Sequence, residues 1–521
     1  MKKQPNRLPK GGRIDRGKAF SIKFDGSNIE AYPGDTLASA FLANGKKIVG
    51  RSFKYHRPRG IMSAGVEEPN ALVNLRKRGR AEPNTRATVI EVYEGLETES
   101  QNCWPTLTLD IGVLNNFFSR FLPAGFYYKT FMGSGPGTSG WMFWEKYIRR
   151  AAGMGRPISE LDPDSYEKIN SYADVLVIGS GPAGLCAALA AGRSGARVIL
   201  AEQDFLNGGT ILNEPCNGEH AEWLTLILKE LTSLKNVLLL TRSTVFSAYQ
   251  KGVYGILERV WDHVAEPPPY QPRQRFHLLR AKTTILASGA IEQPLVFENN
   301  DLPGVMLANS TRVYLHRYGI LTGKKVVVAT NNWSAFVTAH DLALVGARVS
   351  LVYSGSKINS DVKKLLDASG VETFIGYSVI RARGLRSLKE VDIALTQDKP
   401  HSSFPKMITI QVDLLAISGG WAPNLNLWSQ LGYKPIFNQS RGAFFPDVDN
   451  LENFSCVGLV SPTFRNKNPS EAWFSAGVKA ANFCGHKNNP VPSAMLLRKV
   501  VATPPAAVSK RTSSTNRIYS L

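Results

Sequence analysis

The stretch ADVLVIGSGPAGLCAALAAGRSGARVILAEQD, residues 173–204, decides the fold of this chain. It begins with an apolar run at 175–178, which is typical of a strand buried on both faces. A glycine-rich turn follows at once, then a helix of small residues to about Arg193, and then a second strand at 197–201. Strand, glycine-rich turn, helix and strand in this order predict a dinucleotide-binding βαβ unit.

Each glycine of the turn has its own predicted role. Gly179 permits the tight turn, Gly181 lets the backbone approach a pyrophosphate, and Gly184 lets the helix pack closely on the strand. The start of the helix, with Pro182 and Ala183, offers free N–H groups and a partial positive charge to an anion. We therefore predict that this turn holds the pyrophosphate of a dinucleotide.

Glu202 ends the second strand, where a carboxylate accepts hydrogen bonds from a ribose diol. A carboxylate there also disfavours a 2′-phosphate, so the sequence favours NAD or FAD over NADP. No catalytic acid or base is assigned. The rest of the predicted cofactor site lies in loops and strand ends that approach the ligand, namely Gln203, Gly209, Thr210, Thr244, Val245, Ala287, Ser288 and Gly289.

Composition limits the class of protein. The chain has 521 residues, too many for one ordinary domain, and its 43% hydrophobic content supports large cores. The net charge of +20 comes from dispersed basic residues, which favour an anionic ligand or an acidic partner subunit over a nucleic acid. The five cysteines form no CxxC pair, so we expect no metal site and a reducing, cytoplasmic location. The basic N-terminus lacks a following apolar run, so neither a signal peptide nor membrane contact is expected.

The first hundred residues predict a small β-grasp domain of the ferredoxin kind. A hairpin is expected over 20–32, a helix over 36–43 with Asp35 as candidate N-cap, and strands near 71–75 and 87–93. The loop 50–60 contains no cysteine, so an iron–sulfur cluster is predicted to be absent. Its basic side chains either bind a phosphate or an acidic partner or form a solvated loop, and they are Arg51, Lys54, His56, Arg57 and Arg59.

A second βαβ unit begins at Lys325, but ATNNWSA at 329–335 replaces the glycines of its turn. Side chains in that turn would obstruct a pyrophosphate, so this unit is predicted to keep the fold and to have lost the usual site. Residues 101–172 form an aromatic-rich linker that we expect to pack on the main domain or on another subunit, with a helix over 141–152.

Several motifs, taken in order, resemble the α-subunit family of heterotetrameric sarcosine oxidase. They are GGRIDR, YPGDTLASAFLANG, VGRSFKYHRPRGIMSAGVEEPNAL, EPNTRAT, FLPAGFYYKTFM and VIGSGPAGL. The resemblance spans 7–485 and implies an α/β, two-dinucleotide-binding-domain fold of glutathione-reductase type behind a cluster-free ferredoxin-like domain. It also implies NAD in this chain, FAD in a flavoprotein β subunit and FMN shared near their boundary. The activity implied is oxidative demethylation of sarcosine to glycine, with no turnover by this chain without its partner subunits.

The resulting division has five segments. The ferredoxin-like domain is expected at 1–100 and the linker at 101–172. The first dinucleotide-binding domain is expected at 173–320 and 411–490, the second, degenerate one at 321–410, and a disordered tail at 491–521.

Two departures from the family keep alternatives open. Family α subunits continue into a folate-binding, aminomethyltransferase-like half that is missing here, so a truncated, non-catalytic assembly subunit is one alternative. Gln293-Pro294 replaces the Arg-Pro of the family.

Gly458-Leu459 stands where flavoproteins of this fold have Gly-Asp, which favours NAD over FAD. An FAD-binding subunit of a related amine, opine or hydroxyproline dehydrogenase is the other alternative.

Overall fold

A computed structural model describes residues 4–76, 81–121, 139–152, 160–396, 407–447, 450–451, 453–462 and 469–488. The fold is α/β, as predicted, with a β-grasp sheet followed by two units built on parallel sheets. The predicted disordered tail, 491–521, lies outside the described residues. Within the described ranges, no helix is long and apolar enough to span a membrane.

The N-terminal part is a five-stranded β-grasp sheet with one helix against it. The helix Leu37–Ala43 is buried along its whole length. Its N-cap is Thr36, not the candidate Asp35, because the Thr36 and Ser39 side chains each accept from the backbone N–H of the other. The predicted strand at 87–93 is also wrong, since the pairing strand ends at 86. In sheet order the strands are Ser27–Ala31, Phe20–Phe24, Glu97–Ser100, Leu72–Leu75 and Glu82–Arg86, with a separate hairpin of Gly50–Arg51 and Pro58–Arg59.

The basic loop 50–60 is directed largely into the protein. The guanidinium groups of Arg57 and Arg59 pair with Asp301 at 2.7 and 2.5 Å. The Nδ1 atom of His56 lies 2.8 Å from a carboxylate oxygen of Asp110, and both side chains are buried. These three basic side chains therefore fasten the N-terminal domain to Asp301 and Asp110, which lie outside it, and this argues against the predicted phosphate or acidic-partner surface.

The first parallel unit contains the sheet around the glycine-rich turn. Its long strand begins at Tyr166, inside the segment predicted as linker, because 166–173 pairs with a strand that extends equally far. In sheet order the strands are Val237–Leu240, Val198–Ala201, Tyr166–Ile178, Gln274–Leu286, Val253–Arg259 and Ser243–Tyr249, with Phe454–Cys456 and Asn450–Leu451 added beside Gln274–Leu286. Its helices are Pro182–Arg193, Glu219–Ser233 and Pro469–Phe483.

The second parallel unit has the βαβ element predicted from Lys325. The strand Leu414–Ser418 belongs to this sheet, although the sequence placed 411–490 in the first unit. The strand is buried throughout, so its composition fits either sheet. In sheet order the strands are Val305–Leu307, Leu414–Ser418, Lys325–Thr330, Arg348–Tyr353 and Glu372–Ile375, and the helices are Ala308–Tyr318, Ser334–Leu344 and Ser360–Ala368.

Smaller elements complete the described chain. An antiparallel sheet flanks the second unit, and two short strands, Ala290–Glu292 and Trp421–Pro423, pair between the units. The antiparallel strands are Tyr377–Arg383, Glu390–Leu395 and Ile408–Gln411, and a further pair is Ile436–Asn438 with Ala443–Phe445. The remaining helices are Leu114–Phe117, Ser139–Ala152 and Asn426–Gln430.

The turn of the second unit is filled by its own side chains. Asn332 is 1% exposed, and its Nδ2 donates to the carbonyl and hydroxyl oxygens of Ser418 at 3.2 and 3.1 Å. Its Oδ1 accepts from the backbone N–H of Ser334 at 3.1 Å. The amide of Asn332 is therefore used in hydrogen bonds within the protein, and the loss of the usual site stays a prediction.

The N-terminal domain shares a hydrophobic core with the second unit. Phe41 and Val73 of the β-grasp belong to the same buried cluster as Tyr314 and Val328. At the edge of this core, Arg7 pairs with the buried carboxylate of Asp35 at 2.7 Å. The shared core packs the N-terminal domain against the helix Ala308–Tyr318.

The described part of the aromatic linker carries many exposed aromatic side chains. The helix expected over 141–152 is present as Ser139–Ala152. Residues 122–138 and 153–159 of the linker lie outside the described residues. The exposed aromatic side chains are Trp104, Phe117, Phe118, Phe121, Phe143, Trp144 and Tyr147.

Candidate functional site

A cavity of about 1000 Å³ lies at the carboxyl ends of the first unit's strands. Its volume is at the upper end of the range for small-molecule pockets. Every residue predicted for the cofactor site lines this cavity, except Gly184. The structure thus brings together Gly179, Gly181, Pro182, Ala183, Glu202, Gln203, Gly209, Thr210, Thr244, Val245, Ala287, Ser288 and Gly289.

The three glycines of the turn are required for different reasons. Gly179 has φ +99°, and a Cβ atom on it would lie 2.5 Å from the carbonyl oxygen of Ala287. A Cβ on Gly184 would overlap the carbonyl oxygen of Gly179. A Cβ on Gly181 would have no heavy atom of the described residues within 4 Å, so it would enter the cavity. Two glycines therefore serve packing, and Gly181 keeps the backbone open to a ligand.

The helix Pro182–Arg193 begins at this open backbone. Gly181 is its N-cap and contributes no side chain, so the first N–H groups of the helix have no side-chain cap. The segment Gly209–Asn213 covers the turn closely, because a Cβ on Gly209 would lie 2.7 Å from the Gly181 Cα. Uncapped N–H groups beside an open backbone and beneath a covering loop fit a pyrophosphate.

Glu202 is held in a fixed orientation at one end of the cavity. Its Oε2 accepts from the backbone N–H and the hydroxyl of Ser180 at 2.7 and 2.8 Å. Among the residues that the structure describes, its Oε1 accepts from the backbone N–H of Asp204 alone, at 2.9 Å. Burial raises the pKa of Glu202, and these hydrogen bonds oppose that rise. Oε1 keeps a lone pair for a ribose hydroxyl, as the sequence predicted for this carboxylate.

Sequence reasoning missed the ion pair between Asp204 and Arg317. Both residues line the cavity, and the guanidinium of Arg317 binds both carboxylate oxygens at 2.6 and 2.7 Å. Burial of Asp204 opposes its ionisation, but Arg317 holds the pKa of Asp204 below its usual value. The guanidinium also lies 4.4 Å from the ring centroid of Phe205. The acid was visible two residues after Glu202, but no local signal indicates a partner on a distant helix.

The N-terminal domain forms one wall of the cavity, which the sequence did not predict. The lining residues from this domain are Ala64, Gly65, Val66, Glu67, Thr88 and Val89. Arg259 joins the two domains at this wall, donating to the carbonyl oxygens of Val89 at 2.9 Å and Gln203 at 3.2 Å. The ferredoxin-like domain is therefore part of the candidate site.

Comparison with protein families finds two matches. Residues 173–447 match the family described as "Pyridine nucleotide-disulphide oxidoreductase". Residues 17–103 match "2Fe-2S iron-sulfur cluster binding domain". The two matches confirm the predicted order of a ferredoxin-like domain and a dinucleotide-binding fold.

The predicted resemblance to sarcosine oxidase α subunits is confirmed. "Sarcosine oxidase subunit alpha" of Rhizobium meliloti (strain 1021) is 44% identical over 465 residues, which cover 88% of this chain and 45% of the relative. The subunit of that name from Corynebacterium sp. (strain P-1) is 33% identical, covering 91% of this chain and 44% of the relative. The chain thus spans about half the length of the curated relatives it matches.

A solved structure supports the fold. The crystal structure of L-proline dehydrogenase from P. horikoshii superposes with a TM-score of 0.59 at 20% identity. The superposition covers 98% of this chain and 81% of that chain. At this identity the likeness supports the architecture alone.

The match to a cluster-binding domain does not bring cluster ligands with it. Residues 17–103 contain a single cysteine, Cys103, whereas a [2Fe–2S] cluster of this type uses four thiolates. In the described part of the chain, no three His, Cys, Asp or Glu side chains are grouped so that they could hold a metal ion. The absence of a cluster stays a prediction, with its test given below.

Proposed function

Because this chain belongs to the pyridine nucleotide-disulphide oxidoreductase family, we propose that it is the NAD-binding α-type subunit of a sarcosine oxidase-like complex. The observation that carries the proposal is the open backbone at Gly181, set at an uncapped helix start and flanked by the fixed carboxylate of Glu202. The names of the matched relatives support sarcosine as the donor.

The residues on the cavity wall fit a dinucleotide in an extended form. The turn at 179–184 would hold the pyrophosphate, Glu202 one ribose, and Thr244 with Val245 the adenine. The small residues at 287–289 let the backbone approach the other half of the cofactor. When bound, NAD supplies a nicotinamide ring that exchanges a hydride.

Charge at the ribose end favours NAD over NADP. Glu202 and Asp204 both line this end, and Arg317 is already bound to Asp204 through both nitrogens. A 2′-phosphate would approach the Glu202 carboxylate, and the charge of Arg317 is already offset by Asp204. These residues therefore select a dinucleotide with a free ribose diol.

FAD in this cavity is the second candidate for the cofactor. Leu459 lines the cavity beside Gly458, at the position where the sequence lacks the acid of related flavoproteins. An apolar side chain there offers no hydrogen bond to a flavin's ribityl chain, which favours NAD. In the proposed complex, FAD belongs to a β subunit and FMN is shared near the boundary.

The exposed aromatic linker supports the proposed partner. Phe117 is 81% exposed, and Phe121 and Trp104 are 72% and 67% exposed. Apolar surface of this kind marks a site of contact with another protein. We assign this surface to the flavoprotein β subunit, whose acidic face would complement the net charge of +20.

Equilibrium dialysis of the purified full chain tests the cofactor assignment. We expect saturable binding of NAD, much weaker binding of NADP, and no flavin absorbance. A flavin that copurifies in stoichiometric amount would replace this proposal with the FAD-binding alternative. Iron and acid-labile sulfide, measured on the same sample, should be absent, and stoichiometric amounts would contradict the cluster prediction.

Co-expression tests the proposed activity. We expect this chain with the flavoprotein β subunit to form a stable complex that consumes oxygen when sarcosine is added. The isolated chain should not turn over sarcosine, because the proposed substrate-oxidising flavin belongs to the partner. Sarcosine oxidation by the isolated chain would contradict this division of labour.

A further inference from the structure

Two asparagine side chains on the cavity wall are bonded to each other and have no role in the proposed cofactor site. Asn213 ends the segment Gly209–Asn213, which covers the glycine-rich turn, and Asn309 lies in the first turn of the helix Ala308–Tyr318. Both residues line the cavity. The Nδ2 of Asn213 donates to the Oδ1 of Asn309 at 3.3 Å. This bond holds the two amide groups side by side.

The bond between these amides leaves one acceptor and one donor unused. Whichever amide donates, a pair joined in this way keeps one free carbonyl oxygen and one free NH2 group. Here they are the Oδ1 of Asn213 and the Nδ2 of Asn309. Neither atom has a hydrogen-bond partner among the described residues, and neither is enclosed by protein atoms. The pair therefore offers an acceptor beside a donor to a ligand in the cavity.

The segment that carries Asn213 holds this side chain in place. Its Ile211 and Leu212 are buried in the core of the first unit, and Asn213 itself is 9% exposed. At the start of the segment, a Cβ on Gly209 would lie 2.7 Å from the Gly181 Cα, so the segment rests directly on the turn. Groups fixed in this way lose little freedom when they bind a ligand, which favours recognition by them.

The helix Ala308–Tyr318 shows that the amide pair lies away from the ribose end. Arg317, near the C-terminus of this helix, binds Asp204 at the ribose end. Asn309 lies eight residues earlier on the same helix, which is about 12 Å at 1.5 Å per residue. The segment Gly209–Asn213 connects the two places, because it begins over Gly181 and ends at Asn309. The pair is therefore reached from the ribose end by passing the turn.

A strand pairing places the amides beside the other half of the predicted cofactor. The strand Ala290–Glu292 continues directly from the small residues at 287–289. The backbone N–H of Asn309 donates to the Oε2 of Glu292 at 2.8 Å. Trp421 pairs directly opposite Glu292 and lines the cavity, so its indole lies on the same face as the Glu292 side chain. An aromatic ring at this end suits a flat, cationic ring such as oxidised nicotinamide.

We propose that Asn213 and Asn309 together bind the carboxamide group of the nicotinamide ring of NAD. The inference rests on the proposed NAD-binding function. A carboxamide has one oxygen that accepts and one NH2 group that donates, which match the free donor of Asn309 and the free acceptor of Asn213. A dinucleotide with nicotinic acid in place of nicotinamide presents a carboxylate, which cannot donate to Asn213. The pair therefore selects the amide form of the cofactor.

Dissociation constants for three nucleotides, measured by calorimetric titration of the purified full chain, test this inference. They are NAD, nicotinic acid adenine dinucleotide, and ADP-ribose, which lacks the nicotinamide ring. We expect the unaltered chain to bind NAD about tenfold more tightly than the nicotinic acid form. For Asn309→Ala we expect the Kd of NAD to rise about tenfold, or about 1.4 kcal/mol. The Kd of ADP-ribose should not change, because this ligand has no carboxamide.

A second variant and a control complete the design. Asn213→Ala should shift the Kd of NAD as Asn309→Ala does, and it decides the matter if Asn309→Ala does not fold. The double variant should lose less than the sum of the two single effects, because the two amides act on one group. Asn217→Ala is the matched control, because Asn217 is an exposed asparagine four residues after Asn213 that does not line the cavity.

The outcomes separate this inference from the function on which it rests. Equal changes in the dissociation constants of NAD and ADP-ribose, or no change in either, overturn the role of the two amides while NAD binding stands. Equal affinity of the unaltered chain for NAD and the nicotinic acid form also overturns it, as does a similar shift in Asn217→Ala. Failure of the unaltered chain to bind NAD contradicts both the inference and the proposed function.

Discussion

The turns of the two βαβ units join strand and helix over the same number of residues and differ in how their polar groups are used. In the first turn, Gly181 leaves the space above its backbone empty. In the second, the buried amide of Asn332 is bound to Ser418 and Ser334. The first turn therefore has spare hydrogen-bond donors beside a cavity, while the second uses its polar groups within the protein. A βαβ fold can thus be kept while the polar groups of its turn are used in different ways.

The largest expected effect comes from Gly184 in the first turn. Gly184→Val should lower the free energy of unfolding by about 3 kcal/mol, because the side chain would overlap the carbonyl oxygen of Gly179. Urea denaturation followed by circular dichroism measures the change. Gly218→Val is the control, because Gly218 lies at a helix start with negative φ and an uncrowded Cβ position. Gly346 is not suitable, because its φ of +90° would itself strain a valine. Wild-type stability in Gly184→Val would contradict the packing role of this glycine.

For Gly181 we expect a change in cofactor binding and little change in stability. Gly181→Val should raise the Kd of NAD about 100-fold, or about 2.8 kcal/mol, because its side chain enters the space reserved for the pyrophosphate. The free energy of unfolding should stay close to that of the unaltered chain, because the new Cβ meets no described atom within 4 Å. Calorimetric titration with NAD measures the first quantity and urea denaturation the second. Tight NAD binding by this variant would locate the pyrophosphate elsewhere.

The turn that carries Gly181 and Gly184 shows which features of the site the local sequence could predict. The spacing of Gly179, Gly181 and Gly184 predicted the turn correctly, because its pattern of strand, glycines and helix is continuous in the sequence. The pair Asp204–Arg317 and the wall that carries Glu67 could not be predicted, because each joins segments more than a hundred residues apart. The strand Leu414–Ser418 was assigned to the wrong sheet for a related reason, since a strand buried on both faces has no sheet-specific pattern.

Replacing Glu202 tests the ribose end of the first site. Glu202→Ala should weaken NAD binding by about 1.5–3 kcal/mol, the cost of one hydrogen bond to a charged group. Glu202→Gln keeps an acceptor for the Ser180 N–H and should weaken NAD binding less. The difference between the two variants separates the contribution of the charge from that of the hydrogen bond to Ser180. Dissociation constants for NAD and NADP are measured together. If Glu202→Gln leaves the NAD-to-NADP preference unaltered, the proposed role in cofactor choice is wrong.

Asn332 should behave in the opposite way to Gly181. Asn332→Ala removes hydrogen bonds to Ser418 and Ser334, so the free energy of unfolding should fall by about 1–2 kcal/mol. NAD binding should not change, because Asn332 does not line the cavity. Thermal and urea denaturation measure stability, and calorimetric titration measures binding. A new second equivalent of bound NAD in Asn332→Ala would show that this amide alone closes a functional second site.

The smallest expected effect tests a hydrogen bond that joins the second turn to the cavity. The hydroxyl of Ser334 accepts from the indole N–H of Trp421 at 3.0 Å, and Trp421 lines the cavity. Ser334→Ala removes that acceptor, which should cost about 1 kcal/mol of stability. Because Trp421 is also held by the backbone pairing of Trp421–Pro423 with Ala290–Glu292, its position should change little. We therefore expect the Kd of NAD to change by less than about threefold, which is about 0.7 kcal/mol. A larger loss would mean that the second turn, predicted to bind no nucleotide of its own, still shapes the site of the first.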